Sequence, residues 1–474
     1  MISLADTILF GKPEEVTHLL NQGHNVNEID EYGYTPLIEA AIANRIDMAE
    51  LLIQHGADVR QNDLTQRSAL HWASDNHNLN FCKLLLDHRA DVNAYSHSGQ
   101  TPLVLPLLRG QQDLKNLLLH YGADLQFTLD YINAKLIGHR FELPGHVHIV
   151  DPLGNFIVLD FEGFFFEFTA SILQNSLERF KNNFAARNMQ AYFKMINLII
   201  EVLAKSGELI KYQQYNFNRR QQSARILQLL QNELVLIPVA YKGHAITYVR
   251  YGNVFVKIDR GEYGRKHGTV LFYKMNAMEK FTPELCWRLL YKRNDEYFVH
   301  EGIKEYLKLT SLYTLDLPPQ ISGNCSWANV EASLCVMLIL LTVHHNKTNI
   351  ATAQQYILPF YDKWLEWDKD RSLDECIQSF ARVNPARKAS KAAILANILV
   401  QRCDYQNESD LHRANRILNV LATPGYEYII ESYIKIYCQD KQNLLGNNLK
   451  HLLDLMPESS TFAIRIQHLL QQYS

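Results

Sequence analysis

The chain has 474 residues, 47% of them hydrophobic and 20% charged, with a formal net charge of −3. That length and composition exclude a disordered chain and suggest roughly two to four domains with ample core. The near-neutral charge offers no electrostatic case for nucleic acid or acidic membranes as partners.

The seven cysteines (82, 286, 325, 335, 376, 403 and 438) are odd in number and scattered. They form neither a disulfide framework nor a CxxC metal pattern, which points to a reducing compartment. The N-terminus, Met1-Ile2-Ser3-Leu4-Ala5-Asp6, has no basic segment followed by an apolar one. The longest apolar run, Leu334 to Leu341, is too short to cross a bilayer. A soluble protein is expected; export would need a route that reads no cleavable N-terminal signal.

The first third is periodic. Thr35-Pro36-Leu37, Ser68-Ala69-Leu70 and Thr101-Pro102-Leu103 recur at a constant interval of 33, as do Gly56-Ala57-Asp58, Arg89-Ala90-Asp91 and Gly122-Ala123-Asp124. Helical patterns lie between the two sets, and a degenerate first unit carries Val16-Thr17-His18-Leu19-Leu20 and Gly23-His24-Asn25-Val26-Asn27. These motifs resemble the ankyrin repeat closely over residues 1–130, which implies four repeats and a surface for a protein partner. The residue types agree. Thr caps a helix start, Pro fits the first turn, and Gly56 and Gly122 supply a left-handed residue after the second helix. Arg89 stands at the corresponding glycine position, where a positive φ would cost it about 1 kcal/mol. Pro106 is expected to interrupt the inner helix of the fourth repeat. Candidate partner contacts are Tyr32, Tyr34, Asp63, Tyr95 and His97. Asn93 occupies a position that resembles the substrates of eukaryotic asparaginyl hydroxylases.

From about residue 131 the pattern changes to an α+β domain, expected over 131–345. A hairpin is read around Leu153-Gly154-Asn155, and helices at about 168–205 and 219–232. His139, His146, His148 and Asp151 lack a distant fourth ligand, so ordinary surface histidines are expected there and no metal. The run from Leu234 to Arg250 turns at Tyr251-Gly252 into Asn253 to Gly261. With Tyr251-Gly252 as a two-residue loop, His244 lies opposite Asp259; a shift of two residues makes the pair diagonal but leaves it on one face. A carboxylate can thereby orient an imidazole.

The stretch Gln320 to Asn329 ends a polar turn in Cys325, which opens a long apolar helix. A cysteine at a helix start feels the positive dipole end and unsatisfied N–H groups, both of which favour a nucleophilic thiolate. Cys335 falls ten residues into that helix and is expected in the core.

His, then Asp, then Gln shortly before a helix-opening Cys resembles the Ulp/adenain class of cysteine proteases and the YopJ-type acetyltransferases, over perhaps residues 235–345. The resemblance implies a papain-like, cysteine-protease-like α+β domain. It implies His244 as general base, Asp259 as its orienter, Cys325 as nucleophile and Gln320 as an oxyanion donor; Asn324 or the Cys325 backbone N–H could serve instead. Residues 346–474 read as helical throughout, with no chemistry.

An ankyrin array joined to such a domain resembles the ankyrin-repeat effectors that bacteria send into eukaryotic host cells by type IV secretion. That implies host-protein partners, no direct nucleic-acid contact, no membrane span and no cofactor. The expected location is the host cytoplasm, with the nucleus left open. Three activities are consistent with the residues: a thiol peptidase or isopeptidase, a scaffold with a vestigial triad, and a YopJ-like acetyltransferase, which would also need an acyl-carrier pocket.

Overall fold

A computed structural model describes residues 4–150, 156–160, 166–212, 219–241, 243–292, 294–321, 323–456 and 461–472. Its contacts divide the chain into two compact units: residues 1–133 with 212–221, and the remainder.

The first unit is an ankyrin array of four helix pairs, Leu4–Phe10 with Pro13–Asn21, Pro36–Ala43 with Ile46–Gln54, Ala69–Asp75 with Leu79–Asp87, and Val104–Leu108 with Gln112–His120. One core of small and branched residues runs through it, including Ala40, Leu52, Ala73, Phe81, Leu85, Leu114 and Leu118. Thr35 Oγ1 accepts the Ile38 N–H, capping its helix. Arg89 has φ 65 where Gly56 has 88 and Gly122 has 91, so the expected left-handed arginine is present. Pro106 does not break the fourth inner helix. That helix instead starts late, at Val104, so the proline falls in the first turn, where an N–H has no intrahelical acceptor.

Among the described residues the second unit holds seven strands. β1 (His146–Val150) and β2 (Phe156–Asp160) form an antiparallel hairpin. A five-stranded antiparallel meander follows: β3 (Leu234–Tyr241), β4 (His244–Tyr251), β5 (Val254–Ile258), β6 (Val270–Met275) and β7 (Leu309–Leu315), in that spatial order. The helix Cys325–Asn346 packs across β3, β4 and β5. It is long and apolar enough to cross a membrane, but 94% of its most apolar window is buried inside this fold. Being apolar on all faces, it is a central core helix, buried from Ser326 to Thr342. Helices Phe166–Lys181, Phe193–Lys211 and Ile350–Phe380 cover it. The last of these runs straight through Pro359.

Helices Pro385–Arg402, Glu408–Leu421, Glu427–Tyr437, Leu444–Leu453 and Thr461–Gln471 complete the unit. They close a second apolar cluster that also takes in Ile149 and Val150 of β1. The described residues from 346 onward form helices with short connections, and they belong to the same compact unit as the sheet.

Candidate functional site

Three segments converge at one end of the meander. β4 begins with His244, Asp259 follows directly after β5, and Cys325 is the first residue of the core helix. The turn between β4 and β5 is Gly252-Asn253, since Tyr251 pairs with Val254 and Thr247 with Ile258. Gly252 takes φ 55 at the first loop position, a conformation that suits glycine. Relative to a Tyr251-Gly252 loop the register is shifted by two, so His244 and Asp259 are diagonal neighbours on one face. His244 Nε2 lies 3.1 Å from Asp259 Oδ1. The Cys325 thiol is the other side chain that acts on this ring, favouring its protonated form.

The electrostatics follow from this geometry. Burial opposes protonation of His244, but the interactions with Asp259 and Cys325 outweigh it and raise the imidazole to about 9. Burial likewise opposes ionisation of Asp259, which is 0% exposed. The bonds from His244 and from the Gly261 N–H, at 2.9 Å, nevertheless hold its carboxyl below the ordinary range. Gly261 also makes room: a Cβ there would lie 2.6 Å from His244 Cε1, 2.7 Å from Nε2 and 3.0 Å from Asp259 Oδ1.

Gln320 reaches the site through its backbone. Its N–H donates to Arg260 O at 2.8 Å, and its carbonyl accepts from Arg265 at 2.7 Å. The carboxamide Oε1 is buried without a hydrogen-bond partner among the described residues. Asn324, the alternative oxyanion donor, is committed elsewhere. It is 1% exposed, and its Oδ1 bonds His139 Nδ1 at 2.5 Å. His139 is therefore no surface histidine: it is buried and stacked on Trp327, and burial lowers it to about 4. The side chains of His146 and His148, and all of Asp151, lie outside the described residues. Among the described residues no group of three or more His, Cys, Asp or Glu side chains could hold a metal ion.

Several neighbours had no sequence signal. His300 sits in a π-helical turn, Phe298–Gly302, behind Asp259. Its Nδ1 takes Lys257 Nζ at 3.1 Å, its Nε2 contacts Tyr241 Oη at 2.7 Å, and Tyr263 stacks on its ring at 3.7 Å. Lys257 is 2% exposed, and burial lowers it to about 7. Asn329, four residues after Cys325, was legible in principle from helical spacing.

Of the cysteines, only Cys325 and Cys376 are not buried. Burial pushes the Cys335 thiol up to about 12, as suits a core residue.

In the array, Tyr32 and Tyr95 are 71% and 67% exposed, and His97 is exposed. Tyr34 is half-buried, edge-on to Trp72. Asp63 is not available to a partner. It is 5% exposed, and its carboxylate takes the Thr65 and Arg67 N–H groups and Trp72 Nε1. Asn93 is exposed, but its carboxamide bridges to the next repeat, donating to Gly122 O and accepting from the Asp124 N–H. Asn27 makes the same bridge to Gly56 and Asp58.

A family model for ankyrin repeats matches residues 4–63 and 58–128. Human Inversin is 39% identical over 124 residues, which is 26% of this chain but 12% of Inversin. Human Ankyrin repeat and SOCS box protein 6 is 38% identical over 120 residues, 23% of this chain and 28% of that protein. The chain thus spans only a small part of these curated relatives. The solved structure of the Legionella effector AnkH is similar over nearly everything: 43% identity, 95% of this chain, 96% of that chain, TM-score 0.77.

Proposed function

The chain belongs to the family of the Legionella effector AnkH, and on that premise we propose that it is a type IV-secreted effector carrying a thiol peptidase or isopeptidase site. The ankyrin array binds a host protein in the host cytoplasm. Residues 131–345 form the papain-like catalytic domain, and 346–474 a helical addition to it. The observation that carries this reading is the His244 ring held 3.1 Å from Asp259, with the Cys325 thiol near enough to raise its titration.

With the proton resting on His244, whose titration lies near 9, the Cys325 sulfur attacks the carbonyl carbon of a peptide, isopeptide or acyl bond. The oxyanion meets the Cys325 backbone N–H, a first-turn donor without an acceptor in its own helix, together with the Gln320 carboxamide. Collapse expels the amine, which takes the proton from His244 and leaves a thioester on Cys325. Water then gives its proton to His244, adds to the thioester carbon, and releases the acid and the thiol. Asp259 stays ionised and keeps the ring aligned.

The test is labelling of the full chain with iodoacetamide, read per cysteine by mass spectrometry. Cys325 is expected to react faster than Cys376, the other cysteine that is not buried, and His244→Ala to remove the difference. Equal rates in the native and His244→Ala chains would overturn the enzymatic reading in favour of a binding scaffold. A stable acyl-Cys325 adduct that turns over only with an amine acceptor would assign the site to acyl transfer.

A further inference from the structure

We propose that Asn329 is the positioning residue of this site, a side-chain clamp that holds the His244 strand and the Asp259 strand end in register above Cys325. The inference rests on the reading of Cys325, His244 and Asp259 as a working triad.

Asn329 lies four residues after Cys325, so it occupies the same face of the core helix one turn deeper. Its Oδ1 accepts the Arg260 N–H at 2.8 Å, and its Nδ2 donates to Ala245 O at 2.7 Å. Ala245 follows His244 in the chain, and Arg260 follows Asp259. One carboxamide therefore grips the covalent neighbours of both the base and its orienter from the helix that begins with the nucleophile.

The β4–β5 register explains why a clamp is needed. The pairs run from Tyr251–Val254 to Thr247–Ile258, so the ladder stops short of His244 and Asp259. Beyond its end the two strand ends have Asn329 between them. Asn329 is 0% exposed. In that dry setting both bonds are strong, and losing either leaves a backbone group unpaired. An asparagine serving only core satisfaction could bond any two buried groups. These two partners fix the depth and spacing of the diagonal His–Asp pair.

The experiment measures the iodoacetamide rate at Cys325 from about pH 6 to about pH 10.5, a window that brackets the His244 titration near 9. The chains compared are the native one, His244→Ala, Asn329→Ala, Asn329→Asp and Ser333→Ala, with thermal midpoints measured alongside. Ser333 is the control: also 0% exposed on the same helix, it bonds only Val330 O of its own turn. Asn329→Ala is expected to slow Cys325 on the order of tenfold to a hundredfold, the scale of an ångström-level misplacement, and to shift the pH profile. Ser333→Ala should leave both unchanged. Asn329→Asp keeps the acceptor for Arg260 but loses the donor to Ala245, so an intermediate rate is expected. It also stands in if the alanine variant does not fold. Native rate and profile in the folded Asn329 variants, with His244→Ala slow, would overturn the clamp and leave the triad reading intact. A native rate no faster than that of His244→Ala would overturn both.

Discussion

The carboxylate of Asp259 faces two histidines. Oδ1 meets His244 Nε2 at 3.1 Å, while Oδ2 lies 3.9 Å from His300 Nε2 and has no hydrogen bond among the described residues. One oxygen is spent on the candidate base. The other is buried beside His300, whose ring in turn meets Lys257 and Tyr241. A fully buried carboxylate with one idle oxygen depends heavily on its single side-chain partner. Replacing Asp259 with Asn removes the charge that supports protonated His244. The titration of His244 should fall from about 9 toward its ordinary 6.5. The Cys325 alkylation rate near neutrality should fall on the order of a hundredfold or more, as when a general base loses its orienting charge. A pH–rate profile of the Asp259→Asn chain that superimposes on the native one would contradict this.

Gly261 offers a test that leaves every titrating group in place. Its φ is −81, so alanine is allowed by the backbone there. The obstacle is the added Cβ, which would press on the His244 ring and on Asp259 Oδ1 at 2.6 to 3.0 Å. The ring can yield only by turning away from the carboxylate. Gly261→Ala should therefore fold, with circular dichroism unchanged, yet lose Cys325 reactivity by roughly the factor of a hundred that a 1 Å displacement costs. Full reactivity in this variant would mean that the ring position is not critical.

The pH dependence of stability should show two opposed slopes. His244 has a folded value of about 9 against an ordinary 6.5, so its contribution is complete below about 6.5 and is lost as pH rises through about 9. Lys257 is the reverse: about 7 in the fold against 10.5 ordinarily. Between those values the unfolded chain binds the proton that the folded chain has released, so stability rises with pH. Across pH 7 to 9 the two partly cancel in the native chain. Lys257→Met keeps the buried stem and removes the charge. Urea titrations of that variant should show stability falling with pH over this interval, where the native chain is nearly flat. A native-like flat profile in Lys257→Met would contradict the assignment of these two groups.

Much of this arrangement was legible because it is local. The repeat interval, the caps and the left-handed positions are short-range signals, and they locate the array within the sequence. The His244–Asp259 relationship was legible for a different reason. Face is conserved under a two-residue register shift, so the pair survived a turn that closed at Gly252-Asn253 rather than Tyr251-Gly252. His300 was not legible: a π-helical turn brings it to Asp259 across 41 residues, and no spacing rule connects them. Asp63 misled for a related reason. A loop acid reads as exposed until its carboxylate is seen stapling its own turn. The helix Ile350–Phe380 ran through Pro359 because packing on the core helix outweighs one lost backbone bond.

The last prediction concerns the array alone. Arg89 is held at φ 65 at a repeat end where its counterparts Gly23, Gly56 and Gly122 take φ of 93, 88 and 91. Its side chain is exposed, and its carbonyl, which accepts from Arg60 Nε at 3.0 Å, is a backbone group that any residue supplies. Arg89→Gly therefore removes strain of about 1 kcal/mol without removing a native contact of the side chain. Glycine also widens the unfolded ensemble, which takes back a part of that gain. The net expectation is a stabilised array, seen as a rise of a few degrees in the melting midpoint. Because the substitution is remote in sequence from His244, Asp259 and Cys325, the labelling rate at Cys325 should not change. A lower melting midpoint would show that the Arg89 side chain contributes more than its backbone conformation costs.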